Sequence, residues 1–119
     1  MLKKTIIIGL FLVISIFAVN AAYAIDLNGT WFSNDGGTYY IRQMGNEVWW
    51  YGEAAAVSPL WSNTAHGTFD GIVALILNWA DVPKGVTAGN GMLIIEVLSE
   101  NDMLLIYGTG GFSGSEWAR

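Results

Sequence analysis

From Asn28 onward, apolar and polar residues alternate in short runs, and no stretch after Ala24 sustains a 3.6-residue period with capping residues at its ends. Runs rich in Trp, Tyr, Ile, Val and Thr are separated by Gly, Asn and Asp, the pattern of strands and turns. They predict strands near Asn28–Ser33, Thr38–Met44, Glu47–Gly52, Ser62–Phe69, Ile72–Trp79, Met92–Leu98 and Met103–Gly108, with a short eighth in Phe112–Trp117. Gly45-Asn46 suits a two-residue hairpin turn with Gly first, Asp70-Gly71 suits the mirror-type turn, and Glu100–Asp102 closes a third hairpin. Longer loops remain at Glu53–Trp61 and Ala80–Gly91. Seven or eight short antiparallel strands in chain order predict an all-β up-and-down meander barrel, because closure removes exposed sheet edges. A two-sheet sandwich is the alternative.

Turn positions set cross-strand partners, and partners set faces. A turn at Gly45-Asn46 pairs Met44 with Glu47, Arg42 with Trp49 and Tyr40 with Tyr51. Those six share one face. Tyr39, Ile41, Gln43, Val48, Trp50 and Gly52 share the other, which reads as core. Tyr40, Trp49 and Tyr51 then form an aromatic platform beside Arg42, with Arg42 and Trp49 placed for a cation–π pair. That face is either a binding platform or a ladder that stabilises the hairpin. A turn at Asp70-Gly71 pairs His66 with Leu75, Thr64 with Leu77 and Ser62 with Trp79. One face would then set Ser62, Thr64, His66 and Thr68 against Val73, Leu75, Leu77 and Trp79. Small polar groups against an apolar wall describe the lining of a small-ligand cavity, and equally an outer face.

Ile72–Trp79 and Met92–Leu98 are apolar on both faces. A barrel wall buries one face only, so the other needs cover. A homo-oligomer interface formed by these strands and Met103–Tyr107 is one expectation. A sandwich, or a covering segment of the same chain, is the other.

Composition adds an address. Lys3 and Lys4 precede an apolar run from Thr5 to Val19, and Ala22-Tyr23-Ala24 offers small residues two apart. This is the layout of a cleaved export signal over residues 1–24, leaving a domain over 25–119 that is secreted or periplasmic. An uncleaved membrane anchor is the alternative, since the apolar run is nearly long enough to span. After cleavage no stable membrane anchoring is expected. The mature part keeps Arg42, Lys84 and Arg119 against ten acids, a formal charge of −7. Three dispersed cations on an acidic chain argue against nucleic acid as a partner.

The chemistry of catalysis is sparse. The 119 residues contain no Cys and one His, His66. Neither a zinc site nor a Cys nucleophile can be assembled from these, and no acid/base pair can be placed. No metal or cofactor is expected, and His66 reads as a hydrogen-bonding residue. Asp81-Val82-Pro83-Lys84-Gly85 reads as a turn that could also cover a barrel mouth. The Gly-rich run Gly108–Gly114 follows no strand–helix context and so does not read as a phosphate cradle.

Asn28-Gly29-Thr30-Trp31, with its Gly-x-Trp on the first strand, resembles the opening of lipocalins and of avidin and streptavidin, the calycin group of up-and-down barrels. The resemblance to avidins extends to Asn34-Asp35-Gly36-Gly37-Thr38 and to Leu77-Asn78-Trp79, about a quarter of the mature chain. It implies that Trp31 plugs the closed end of the barrel. It also implies that Asn34, Thr38 and Tyr51 grip the head of a ligand, with Trp79 and Trp117 as walls. The Met103–Tyr107 strand lacks the Trp that avidins carry there, which places biotin itself in doubt.

These readings together describe an exported small barrel that binds rather than catalyses. It is expected to hold a small apolar or amphipathic ligand by aromatic stacking and a few hydroxyl hydrogen bonds, through Asn34, Thr38, Tyr51, Thr64, His66, Trp79 and Trp117. The alternative is a glycan- or protein-surface binder using the outer face of Tyr40, Arg42, Trp49 and Tyr51.

Overall fold

The computed structural model describes residues 24–55 and 60–119. The export segment expected over residues 1–24 therefore lies, apart from Ala24, outside the described residues. Eight strands follow in chain order: β1 (Gly29–Ser33), β2 (Gly37–Met44), β3 (Glu47–Ala54), β4 (Ser62–Phe69), β5 (Ala74–Asp81), β6 (Asn90–Ser99), β7 (Asp102–Gly108) and β8 (Glu116–Ala118). Each pairs antiparallel with the next, and β8 returns to β1 through Phe32–Ala118 and Ser33–Trp117. The meander thus closes into a barrel, as the strand pattern predicts, and not into a sandwich. Closure leaves no edge strand exposed.

The β2–β3 hairpin has the predicted register, with Met44 opposite Glu47, Arg42 opposite Trp49 and Tyr40 opposite Tyr51. Gly45 supplies the left-handed turn residue at φ 61°. Tyr39, Ile41, Val48, Trp50 and Gly52 are buried as expected. Gln43 is half-buried and is used as a tie, its side-chain Oε1 accepting the Leu27 N–H at 2.8 Å.

The β4–β5 hairpin corrects the expected register. Phe69 lies opposite Leu75, His66 opposite Asn78 and Ala65 opposite Trp79. Relative to a turn on Asp70-Gly71 alone, the pairing has slipped by three residues. Side chains alternate with period two, so an odd slip exchanges the faces. The cause is Asp70, whose Oδ1 accepts backbone N–H bonds from Ile72, Val73 and Ala74 at 2.8, 2.8 and 3.1 Å. This bracket enlarges the turn to Asp70–Val73 and starts β5 at Ala74. Leu75, Leu77 and Trp79 consequently point into the core, while Thr64, His66 and Thr68 are exposed outside. The polar wall expected from Thr64 and His66 is therefore not in the barrel interior.

The interior is filled by side chains from all eight strands, among them Trp31, Tyr39, Trp50, Phe69, Leu75, Leu77, Leu93, Ile95, Met103 and Trp117. The outer face of β5–β7 remains apolar, with Ile76, Met92, Leu98, Ile106 and Tyr107 exposed beside Ile72 and Val73 of the preceding turn.

The lower end is plugged. Leu27 and Trp31 are fully buried, and Trp31 Nε1 donates to Leu27 O at 2.9 Å. The Arg119 guanidinium lies 4.3 Å from the Trp31 ring centre and donates to the carbonyls of Asp26, Asn28 and Glu100 at 2.6 Å each. The plug role implied for Trp31 is thus what the chain builds, and the cation–π pair among the described residues is Arg119 on Trp31. Trp49 instead stacks on His66, ring centres 4.8 Å apart and planes 27° from parallel, correcting the expected partnership with Arg42.

Candidate ligand site at the barrel mouth

Because the strands alternate in direction, four loops meet at the upper end, and they enclose a cavity of about 110 Å³. Asp35 comes from the β1–β2 turn, and Trp61 directly precedes β4. Asn63 on β4 lies opposite Asp81 on β5, and Trp79 shares the inward face of β5 with Asp81. Thr87 comes from the β5–β6 loop, and Gly111, Phe112 and Ser113 from the β7–β8 loop. The walls are therefore three aromatic rings, and the polar side chains are two carboxylates, an amide and the hydroxyls of Thr87 and Ser113.

The two carboxylates and the amide are held from behind. Asp35 Oδ1 accepts the Gly37 N–H at 2.8 Å, the local bond that makes Asp favourable in a turn. A Cβ at position 37 would run into the Trp61 ring, so glycine there lets the indole lean over the mouth. Asp35 Oδ2 accepts the Tyr39 hydroxyl at 2.5 Å. Asn63, 3% exposed, accepts the Trp50 indole N–H at 2.9 Å. Asp81 Oδ2 accepts the Gly89 N–H at 2.7 Å, which folds residues 82–89 back over the opening. Lys84 of that loop pairs with Glu53 at 3.1 Å. Of the Asp81–Gly85 segment only Asp81 lines the cavity, and the β5–β6 loop reaches it again at Thr87.

The electrostatics of the mouth are acidic. None of its lining residues is basic. Burial pushes the Tyr39 hydroxyl well above the usual phenol range. The bond to Asp35, the Asp35 charge and the Asp81 charge push it further, and only the Asn63 amide works against them. The two carboxylates therefore act on the same hydroxyl, and the mouth carries a negative potential. Among the described residues no group of three or more His, Cys, Asp or Glu is arranged to hold a metal ion.

Of the residues singled out from sequence, Trp79 lines this cavity. Trp117 lies below it, packed against Phe112, Tyr39 and Trp50. Asn34 is exposed and ties the loops, its Oδ1 accepting the N–H groups of Ser115 and Glu116 and its Nδ2 donating to Ser115 Oγ. Thr38, Tyr51, Thr64 and His66 are not among the lining residues; Tyr51, Thr64 and His66 are exposed, and Thr64 Oγ1 donates to Trp50 O at 3.0 Å. Tyr40, Arg42 and Trp49 share the outer face with Tyr51 and His66, as the β2–β3 register requires.

Sequence reasoning passed over Asp35, Trp61, Asn63, Asp81, Thr87 and Phe112. Two signals were present: Asp81 stands two residues after Trp79 and so shares its face, and Phe112 is the sole large side chain in a glycine-rich run. Comparison of the chain with family models, with curated proteins and with solved structures returns no match.

Proposed function

We propose that this is an exported binding protein that seats one end of a small amphipathic molecule in the barrel mouth. The observation that carries the reading is the convergence of Trp61, Trp79 and Phe112 with Asp35 and Asp81 around one cavity. Rings provide stacking, and carboxylates provide acceptors that fix orientation. The volume of about 110 Å³ is well below the roughly 300–1,000 Å³ that enclose a drug-sized ligand. The site therefore takes a head group, with the remainder of the ligand outside. The acidic lining selects a head that donates hydrogen bonds, an ammonium group above all, because aromatic faces also attract cations.

Intrinsic Trp fluorescence tests this with two probes of similar size, phenethylamine and 3-phenylpropionate. The amine is expected to bind, more weakly in Asp81→Asn and at high salt, and the acid is not. Equal response to both probes, or none to either, would remove the reading.

A second reading rests on the outer stack of Trp49 on His66 beside exposed Tyr40 and Tyr51. Such platforms stack on sugar rings. A glycan array separates the two readings: binding lost in Trp49→Ala but kept in Trp79→Ala favours the platform.

A further inference from the structure

Four indoles are fully or almost fully buried in the barrel. Three have partners for the ring N–H: Trp31 on Leu27 O, Trp50 on Asn63 Oδ1 and Trp79 on Thr109 O, each at 2.9 Å. The fourth does not. Trp117 is 1% exposed, and its Nε1 meets no acceptor among the described residues. Buried donors are almost always satisfied, so an orphan inside a packed barrel requires an explanation.

One side chain roofs this indole. The Phe112 ring stacks on Trp117 with centres 6.0 Å apart and planes 30° from parallel. It also meets Trp79 edge-on at 4.9 Å, Trp50 at 6.0 Å and Tyr39 at 6.5 Å. Phe112 thus fills the centre of an aromatic ring of residues, yet it comes from a loop and stays half-buried. That loop is pinned at both ends. Thr109 bonds Met92 through N and Oγ1, and Ser115 bonds Leu105 and Asn34. Among the described residues no hydrogen bond involves Gly110 to Gly114. Gly110 and Gly111 have φ of +83° and +82°, a conformation that side chains resist. The tip therefore carries one ring into the barrel, with firm ends and no polar bond to hold the ring there. Hinges of a few such residues are how loops open.

We propose that Phe112 is a movable stopper over a second ligand chamber, walled by Tyr39, Trp50, Trp79 and Trp117. Its ligand is a small uncharged aromatic ring with one hydrogen-bond acceptor. The ring takes the place of the phenyl group, so the stacking contacts are exchanged rather than lost. The acceptor meets Trp117 Nε1, an interaction Phe112 cannot supply. An anionic ring is disfavoured because none of the walls is cationic and the Asp35 carboxylate bonds the Tyr39 hydroxyl, and a neutral ring avoids the desolvation that either charge would bring. This chamber goes beyond the mouth reading and differs from it in chemistry: the mouth takes a donor head, the chamber an acceptor-bearing ring.

The test uses acetophenone and α-methylstyrene, which share a shape but differ in whether oxygen or CH₂ ends the double bond. The readout is affinity together with the Trp117 indole N–H resonance, assigned by its loss in Trp117→Phe. In Phe112→Ala, acetophenone is expected to bind at least tenfold more tightly than α-methylstyrene and to move that resonance downfield. The preference is expected to vanish in Phe112→Ala with Trp117→Phe. In the unsubstituted protein the same resonance moves at higher acetophenone concentration, because the stopper must first leave. If Phe112→Ala fails to fold, as judged by near-ultraviolet circular dichroism, Phe112→Leu takes its place with the same expectation. Equal affinity for the two probes, binding of neither to a folded variant, or an unmoved Trp117 resonance overturns the proposal. Asp81→Asn separates it from the mouth reading: phenethylamine binding falls there while acetophenone binding stays. Loss of both would mean that no separate chamber exists.

Discussion

The two ends of the barrel are built on opposite terms. At the lower end, Trp31 is fully buried with its N–H bonded to Leu27, and Arg119 covers its ring while donating to three carbonyls. Asp26 and Asp70 turn their carboxylates onto backbone amides, and the Ile25 amide donates to Gly71 O. At the upper end, two carboxylates border open space, Trp117 keeps an unmet donor, and the segment from Gly110 to Gly114 makes no hydrogen bond among the described residues. Both ends are rich in aromatic rings. The difference lies in whether the polar atoms around the rings are satisfied by the chain itself, as in a structural plug, or left with capacity for something else, as in a site.

Substitutions at the two ends should therefore separate stability from binding. The largest effect is expected from Trp31→Ala, which empties the plug and should cost about 3–5 kcal/mol in chemical denaturation. A cost under about 1 kcal/mol would show that the lower end is not the structural anchor. Phe112→Ala should cost less, about 2 kcal/mol, because its ring is half-buried and sits on the loop tip, which no hydrogen bond among the described residues holds. An equal loss at both positions would erase the contrast. Asp70→Ala removes three backbone bonds from an exposed turn and should cost about 1 kcal/mol, the scale of a lost helix cap.

The smallest effects are in the pH dependence, and they have opposite signs at the two ends. The Asn28 amide and side chain hold the Asp26 carboxyl below its ordinary value of 3.8. For Asp70, burial acts upward, but the amides of Val73, Ile72 and Ala74 outweigh it and lower the carboxyl from the same 3.8. A lowered carboxyl contributes stability above about pH 3.8 that is lost as pH falls through the folded value. Tyr39 is raised above its ordinary 10.0, so its contribution is present below that pH and is lost as pH rises beyond it. Thermal midpoints recorded against pH should show Asp70→Asn flattening the acid limb and Tyr39→Phe flattening the alkaline limb. An acid limb that responds to Tyr39→Phe instead would break the assignment of the two limbs to the two ends.

Legibility from sequence followed turn chemistry. Gly45-Asn46 permits one tight turn, so the partners and faces of β2 and β3 could be read directly, down to Tyr39 and Trp50 inside and Trp49 outside. Asp70-Gly71 looks equally tight, but one carboxylate bonding three successive amides lengthens the loop. The odd slip that results moved Thr64 and His66 from the inferred cavity wall to the outer surface. The resemblance to avidins pointed to Trp31 as a plug and to Trp79 as a ligand wall; Trp31 is buried at the lower end and Trp79 lines the mouth cavity. It pointed also to Asn34, which lies at the mouth end but is spent on holding the β7–β8 loop.

Alternation and turn residues are local properties, so the chain's own order already determined strand number, the meander and a Trp-bearing first strand. The site was decided only in three dimensions. Asp35, Trp61, Asn63, Asp81, Thr87 and Phe112 stand on separate turns and strands, and closure alone brings them to one rim. Whether an indole N–H finds a carbonyl, as in Trp31, or finds none, as in Trp117, depends on atoms distant in the chain, and no residue pattern along it encodes that difference.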